Sequence, residues 1–172
     1  MQNSFERVQA ASGFRFLRHG ETDFNRSGLR CGGDADVPLS VHGEEQIRAL
    51  APQTGSLGIV VIVLSALQRA RRSALIISSL LGGIPILTQS LFNERSLGAW
   101  NGRPYAETEA LIRAGATPPG GEAAAQFRQR ILSGVAGLSL AQNTLVASSK
   151  GVARILDDWL GGASCAPRPM EN

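Results

Sequence analysis

The chain has 172 residues, 43% hydrophobic and 18% charged, which favours one folded domain over a disordered chain or two domains. The net charge of +3 is not gathered in a basic run interleaved with aromatic side chains, so nucleic acid is disfavoured as a partner. No apolar stretch approaches the roughly 18 residues of a membrane span, and residues 1–12 lack a signal-peptide core, so we expect a cytoplasmic protein that does not bind membranes.

Four segments have the apolar pattern of β-strands. In chain order they are Phe14–Arg18, Ile59–Ser65, Ile84–Thr88 and Thr144–Ser149. The second is a continuous, largely β-branched run, as expected of a strand that is buried on both faces. Pro85 predicts that the third lies nearer an edge of the sheet, because proline cannot donate a ladder hydrogen bond.

Apolar residues recur at helical spacing between these strands. The predicted helices are Gly43–Leu50, Leu67–Leu81, Tyr105–Ala114, Glu122–Leu138 and Val152–Leu160. Ser40 is a suitable N-cap for the first helix, and Gly161–Gly162 is expected to end the last. The alternation of strands and helices predicts an α/β domain with a mostly parallel sheet. We expect a single domain over residues 1–172 with its core at about 14–160, and loose ends at 1–12 and 161–172.

Polar side chains follow three of the predicted strands. His19, Ser65 and Ser149 each come just after a strand's carboxyl end. In open parallel sheets ligands bind at that edge. We therefore expect the segments that begin with these residues to share one crevice, which Arg18, Arg69 and Lys150 would make cationic.

The pair Arg18-His19 after the first strand carries the most specific chemistry. A neutral imidazole can attack phosphorus, and an adjacent guanidinium can bind phosphoryl oxygens in bidentate fashion. Gly20 would let the backbone turn sharply beside the phosphate. Taken alone, the same three residues also fit a surface histidine in a turn. The neighbouring Arg71 and Arg72 are expected to be solvated.

From about Phe14 to about Leu160 the chain resembles the histidine phosphatase (phosphoglycerate mutase-like) superfamily. Arg18-His19-Gly20-Glu21-Thr22 matches its signature, and Ser65-Ala66-Leu67-Gln68-Arg69-Ala70 resembles its second motif. The loop between them has the expected spacing at Asn25, Gly28, Arg30, Gly33, Asp36, Pro38 and Leu39. The remaining matches are Leu91-Phe92-Asn93-Glu94, Gly98-Ala99-Trp100-Asn101-Gly102 and Pro119-Gly120-Gly121-Glu122.

The resemblance implies a three-layer α/β sandwich and a reaction through phosphohistidine. His19 would accept the phosphoryl group, Glu94 would protonate the leaving oxygen and then activate water, and Arg18 and Arg69 would bind the phosphoryl oxygens. The residues expected to bind phosphate or substrate are Arg18, Gly20, Thr22, Asn25, Arg30, Arg69, Ser149 and Lys150. No cofactor and no metal ion is implied, because arginines supply the positive charge. Cys31 and Cys165 are expected to be reduced thiols.

The chain departs from the family after its last core strand. The family has a second histidine there, which donates a hydrogen bond to the transferred phosphoryl group, whereas this chain has Ser149 followed by Lys150. Loss of one such donor typically costs roughly a hundred- to a thousandfold in rate. The other histidine, His42, falls at a position that the family treats as ordinary surface. Our hypothesis is that Lys150 partly replaces the missing donor.

Three functions remain open at this point. The retained Arg18, His19, Arg69 and Glu94 favour a phosphatase, even a slow one, that acts on a small phosphomonoester or a phosphorylated protein. Ser149 favours a degenerate member that binds phosphate or a phosphorylated ligand without turnover. A phosphoglycerate mutase is the third reading, although the short Trp100–Gly121 segment and the short C-terminal end resemble phosphatases more than mutases. The sequence does not predict the substrate or the oligomeric state.

Overall fold

The computed structural model describes residues 14–138 and 143–162. Within these ranges four strands form one sheet, and their order is β1-β4-β2-β3 with every neighbouring pair parallel. Their bounds are β1 Phe14–Arg18, β2 Val61–Leu64, β3 Ile86–Thr88 and β4 Thr144–Ser148. The predictions of a loose end at residues 1–12 and of a reduced Cys165 lie outside the described residues. The loose end predicted at residues 161–172 lies outside them as well, except for residues 161–162, which end the last helix.

Six α-helices accompany the sheet in the described ranges. They are α1 Asp23–Arg26, α2 Val41–Gly55, α3 Gln68–Leu80, α4 Tyr105–Arg113, α5 Ala124–Ala136 and α6 Lys150–Gly162. Two short 3₁₀ turns, Ser90–Phe92 and Gly98–Trp100, lie between β3 and α4. None of these helices is both long and apolar enough to cross a bilayer. A cytoplasmic location stays a prediction of the sequence.

Side chains that alternate along the strands fill two separate cores. On one face Phe16, Val63 and Val146 pack with apolar residues of α5 and α6. On the other face Leu17 and Leu145 pack with apolar residues of α2 and α3. Because successive strand residues point to opposite faces, both faces of the sheet are covered. The predicted three-layer α/β sandwich with a parallel sheet is confirmed.

Helix bounds differ from the predicted ones where local signals mislead. Ser40 caps α2 as predicted, accepting a hydrogen bond from the Gly43 N–H at 3.0 Å. The helix nevertheless runs through Pro52 to Gly55, because a proline near the end of a helix removes only one main-chain hydrogen bond. The last helix likewise continues through Gly161–Gly162 instead of ending before them. Pro85 stands just before β3, which is an edge strand as predicted.

The strand order brings the polar strand ends together. β4 lies between β1 and β2, so the carboxyl ends of all three meet at one edge of the sheet. The His19 N–H donates to the Ser148 carbonyl at 2.9 Å, and the Ser65 N–H donates to the Ala147 carbonyl at 3.0 Å. His19, Ser65 and Ser149 therefore leave the sheet side by side, as the strand pattern predicted.

Candidate active site

His19 is buried as a neutral imidazole at the end of β1. The residue is 8% exposed, and its Nδ1 lies 2.7 Å from the Gly20 carbonyl oxygen. A carbonyl oxygen can only accept, so Nδ1 carries the proton and Nε2 presents a lone pair. Burial, together with the positive charges of Arg69 and Arg18, lowers the pKa of His19 to about 3. The imidazole is therefore neutral, and Nε2 is able to act as a nucleophile, throughout the physiological pH range.

Arg69 is the most buried of the described arginines, and it binds the loop between α1 and α2. The residue is 1% exposed, and its Nη1 and Nη2 donate to the carbonyls of Ala35 and Gly32 at 2.8 and 3.0 Å. Its charge still acts on the imidazole of His19. A guanidinium has five N–H groups, so these two bonds leave further donors for another acceptor. Arg69 therefore holds the loop and also supplies charge beside His19.

Two buried polar atoms at the strand ends have no partner within the described part of the chain. They are Nε of Arg18 and Oγ of Ser149. Arg18 and Ser148 are paired across β1 and β4, so Arg18 and Ser149 lie next to each other at the sheet edge. Buried polar atoms are rarely left unsatisfied. Both atoms are therefore hydrogen-bonding groups that the described residues leave without a partner at this edge of the sheet.

Glu94 lies against the first turn of α6. One carboxylate oxygen accepts from the Gly151 N–H at 3.0 Å, and the other accepts from the Arg95 N–H at 2.8 Å. A Cβ at position 151 would collide with both carboxylate oxygens, so glycine at this position lets the Glu94 carboxyl group lie against the helix. Lys150, the first residue of α6, is partly exposed, and no described residue is its partner. The helix N-terminus thus orients Glu94 towards the same edge of the sheet.

Gly20 serves the packing of α2. A Cβ at this position would collide with the Gly43 carbonyl, and Gly20 does not have a positive φ. Its N–H donates to the Ser73 hydroxyl at 3.2 Å, and that hydroxyl donates to the Arg69 carbonyl at 2.7 Å. The prediction that Gly20 binds phosphate stays a prediction; in this structure its N–H is bonded to the Ser73 hydroxyl.

Thr22 and Asn25 form the cap of α1. The Asn25 N–H donates to the Thr22 hydroxyl at 3.3 Å, and the Thr22 N–H donates to the Asn25 side-chain oxygen at 3.2 Å. The Asn25 amide nitrogen reaches the Tyr105 hydroxyl at 3.3 Å. The contacts given for these two side chains therefore join the start of α1 and connect it to α4.

Arg30 binds α4. Its Nε donates to the Thr108 hydroxyl at 2.7 Å, its Nη2 pairs with the Glu109 carboxylate at 2.5 Å, and its guanidinium stacks on the Tyr105 ring at 4.7 Å from the centroid. The phosphate-binding role predicted for Arg30 stays a prediction, and in this structure its guanidinium is paired with the Glu109 carboxylate. Its role in this structure is to join the loop after α1 to α4.

Asp36 and Ser73 are supporting residues to which the sequence analysis assigned no structural role. Asp36 accepts from the Gln68 N–H at 2.8 Å and so caps α3, whose own N-cap Leu67 offers no side-chain oxygen. Ser73 lies four residues after Arg69 on the buried face of α3. A polar residue on an apolar helix face is a sequence signal that could have identified Ser73. The contact between Asp36 and Gln68 joins residues 32 positions apart and leaves no periodic pattern in the sequence, so it could not be predicted in this way.

The remaining residues from the sequence analysis are exposed, ion-paired or, in the case of Cys31, a free thiol. Arg71 is exposed, Arg72 pairs with Glu44 at 2.6 Å, and the side chain of His42 is 62% exposed. Cys31 is a free thiol that donates to the Ala35 carbonyl. No group of three His, Cys, Asp or Glu side chains able to hold a metal ion occurs in residues 14–138 and 143–162. A mechanism without metal stays a prediction.

A family model confirms the resemblance seen in the motifs. The histidine phosphatase superfamily (branch 1) matches residues 14–170. The chain belongs to this superfamily.

Individual relatives include phosphatases and a mutase. Uncharacterized phosphatase PhoE of Bacillus subtilis is 40% identical over 91 residues, 53% of this chain and 46% of the relative. Fructose-2,6-bisphosphatase TIGAR B of Danio rerio is 34% identical over 126 residues, 66% of this chain and 48% of the relative. The phosphoglycerate mutase of Thermus thermophilus has a TM-score of 0.69 at 34% identity, covering 83% of this chain and 80% of that one. The chain spans about half the length of the curated relatives it matches.

Proposed function

We propose that the protein is a phosphatase that hydrolyses a phosphomonoester through a phosphohistidine on His19. The observation that carries the proposal is a buried imidazole whose pKa lies at about 3, with its proton on Nδ1 and the charges of Arg18 and Arg69 beside it. Such an imidazole is a nucleophile at every physiological pH and needs no base to activate it. Relatives named as phosphatases agree with this reaction class.

In the first step the Nε2 lone pair of His19 attacks phosphorus and the ester P–O bond breaks. Glu94, in its protonated form, gives its proton to the leaving oxygen, so that an alcohol departs. The Nδ1–H remains bonded to the Gly20 carbonyl and stabilises the positive charge that the ring acquires. Arg18 and Arg69 bind the phosphoryl oxygens, where negative charge is carried in the transition state.

In the second step a water molecule attacks the phosphohistidine. Glu94, now a carboxylate, takes one proton from the water, the P–N bond breaks, and inorganic phosphate leaves with His19 neutral again. Glu94 thereby returns to its protonated form, so protons balance over the cycle. The N–H groups of Arg95 and Gly151 orient the carboxyl group in both steps.

Ser149 is proposed to bind a phosphoryl oxygen in the place of the second histidine. Its hydroxyl and the Nε of Arg18 support this role, because both are buried without a partner in the described chain and a bound phosphoryl group could supply acceptors. A hydroxyl supplies a hydrogen bond without charge. We therefore propose a slower turnover than that of members with the histidine, with Lys150 as a second donor when its side chain turns inward.

A binding protein without turnover is the second candidate. The substitution at Ser149 favours it, whereas the two hydrogen bonds that orient Glu94 favour an enzyme, because a phosphate binder needs no acid. A phosphoglycerate mutase is the third, supported by the likeness to the Thermus thermophilus protein. We propose a small phosphorylated molecule or phosphate ion as the ligand in each case.

Turnover of 4-nitrophenyl phosphate at pH 5 to 8 with a chelator present tests the proposal. We expect phosphate release by the native protein and none by His19→Asn, which keeps a polar side chain of similar size. Arg72→Gln is the matched control for loss of an arginine, because Arg72 pairs with Glu44 away from the crevice. Equal, measurable rates for the native protein and His19→Asn would exclude His19 as the nucleophile, whereas no turnover by either protein would favour the binding protein.

A further inference from the structure

Arg130 on α5 uses all of its N–H groups in one cluster. Its Nε and Nη2 pair with the two carboxylate oxygens of Glu122 at 2.9 and 2.7 Å. Its Nη1 donates to the carbonyls of Leu91 and Asn93 at 2.7 and 3.0 Å, and its Nη2 also donates to the Glu94 carbonyl at 3.4 Å. Five bonds match the five donors of a guanidinium.

The three carbonyls bound by Arg130 belong to the segment that carries Glu94. The opposite side of this segment is bound to the sheet edge, where the Ala66 N–H donates to the Asn93 side chain at 2.8 Å and the Ser148 hydroxyl donates to the Phe92 carbonyl at 2.5 Å. The segment is thus held between the strand ends and Arg130. The position of this segment therefore fixes the position of the Glu94 backbone.

Glu122 extends the same restraint past Glu94. Its N–H donates to the Ser96 carbonyl at 2.9 Å, and its own carbonyl accepts from Nε of Arg95 at 2.8 Å. The Arg130–Glu122 pair is largely buried, with side-chain exposures of 23% and 17%. Partly buried, bidentate arginine pairs hold geometry far better than exposed ion pairs. The backbone on both sides of Glu94 is therefore connected to one ion pair.

Arginine is the residue type that this position requires. The guanidinium is a planar fork whose donors point in fixed directions, whereas a lysine ammonium has three donors on a flexible stem. Lysine would keep the charge opposite Glu122 but could not bind the carboxylate and three carbonyls together. Arg130→Lys therefore removes the geometric restraint while it preserves the charge.

We infer that Arg130 is a positioning residue for Glu94, and this inference rests on the proposed phosphatase reaction. By fixing residues 91–94 it keeps the Glu94 carboxyl group at the first turn of α6, where the carboxyl can give its proton to the leaving oxygen. Arg130 itself touches neither substrate nor reacting atoms. Its loss should impair proton transfer to the leaving group more than attack by His19.

The choice of leaving group separates these two effects. An alkyl phosphate needs a proton on its leaving alkoxide, whereas 4-nitrophenolate departs readily without one. We expect Arg130→Lys to lower kcat for an alkyl phosphate by roughly ten- to a hundredfold, which is part of the roughly hundred- to ten-thousandfold that a general acid contributes. We expect kcat for 4-nitrophenyl phosphate to fall much less. Arg128→Lys, two positions earlier and exposed, is the matched control and should change neither. Equal losses for both esters would overturn the inference.

A double variant gives a second test of the same coupling. In a Glu94→Gln background the acid is already absent, so adding Arg130→Lys should cause little further loss with the alkyl phosphate. Independent, multiplicative losses would mean that Arg130 acts on catalysis by another route.

Amide hydrogen exchange tests the positioning without any turnover. The N–H groups of Arg95 and Gly151 are bonded to the Glu94 carboxylate. We expect both to exchange at least about tenfold faster in Arg130→Lys than in Arg128→Lys, as local opening becomes easier. Unchanged exchange would overturn the inference. If the native protein hydrolyses neither ester, the proposed function fails, and the exchange rates still decide whether Arg130 positions Glu94.

Discussion

Replacing Gly151 with alanine is expected to displace the Glu94 carboxylate while the fold stays intact. A Cβ at this position collides only with the end of the Glu94 side chain, which can rotate away without moving backbone. Alanine is also a better helix former than glycine by about 1 kcal/mol, so the first turn of α6 should not unfold. The substitution therefore separates the placement of Glu94 from stability.

The expected size of the effect follows from the bonds that are lost. A hydrogen bond to a charged group contributes about 1.5–3 kcal/mol, which corresponds to roughly a ten- to hundredfold change in rate if the carboxyl must be aligned in the transition state. We expect kcat for an alkyl phosphate to fall by roughly this factor, with KM and the thermal midpoint little changed.

The assay compares Gly151→Ala with Gly137→Ala in steady-state kinetics and thermal unfolding. Gly137 ends α5, and a Cβ there would meet its nearest atom at an ordinary 3.7 Å. We expect Gly137→Ala to retain native turnover. If Gly151→Ala retains full kcat with the alkyl phosphate, the Glu94 carboxyl does not act from the position seen here. If Gly151→Ala loses turnover because the protein unfolds, the expectation that this substitution leaves the stability unchanged is wrong.

Four further predictions concern the crevice. Burial holds the pKa of His19 at about 3 in the folded chain, against an ordinary 6.5, so the unfolded chain takes up the proton first as the pH falls. The free energy of unfolding should therefore fall by up to about 1.4 kcal/mol per pH unit below pH 6.5. Denaturant titrations of His19→Asn should show a flatter dependence on pH. Ser149→His should raise kcat by up to roughly a hundredfold, and no gain would show that position 149 does not face the phosphoryl group. Lys150→Ala should lower turnover and Lys150→Arg should restore it, whereas unchanged turnover in Lys150→Ala would remove Lys150 from the mechanism. Arg69→Lys should weaken inhibition by phosphate at least about tenfold, measured beside Arg72→Lys as the control.

Much of the fold was predictable because its signals are local. Short apolar segments predicted the strands, the second of them a continuous, largely β-branched run, and Pro85 correctly indicated an edge strand. Alternation of strands with helices then predicted a parallel sheet, which places His19 and Ser149 at one edge whatever the details of the loops. The placement of His19 and Ser149 side by side at this edge followed from the topology.

The supporting contacts were not predictable because they join residues far apart in sequence. Gly151 meets Glu94 across 57 positions, and Arg130 binds the Leu91 carbonyl across 39. Neither contact leaves a periodic pattern. Long side chains add a second difficulty, since the charge of Arg30 could reach a substrate or Glu109 from the same backbone position. Only the folded structure distinguishes the two, and here Glu109 binds it.

The most direct test of the central claim is to trap the phosphorylated enzyme. Rapid alkaline quenching during turnover of 4-nitrophenyl phosphate, followed by trypsin and mass spectrometry, isolates the peptide His19–Arg26. We predict one acid-labile, alkali-stable phosphoryl group on this peptide in the native protein and none in His19→Asn. Steady turnover without that phosphoryl group, or the same labelling in His19→Asn, would contradict a phosphohistidine mechanism at His19.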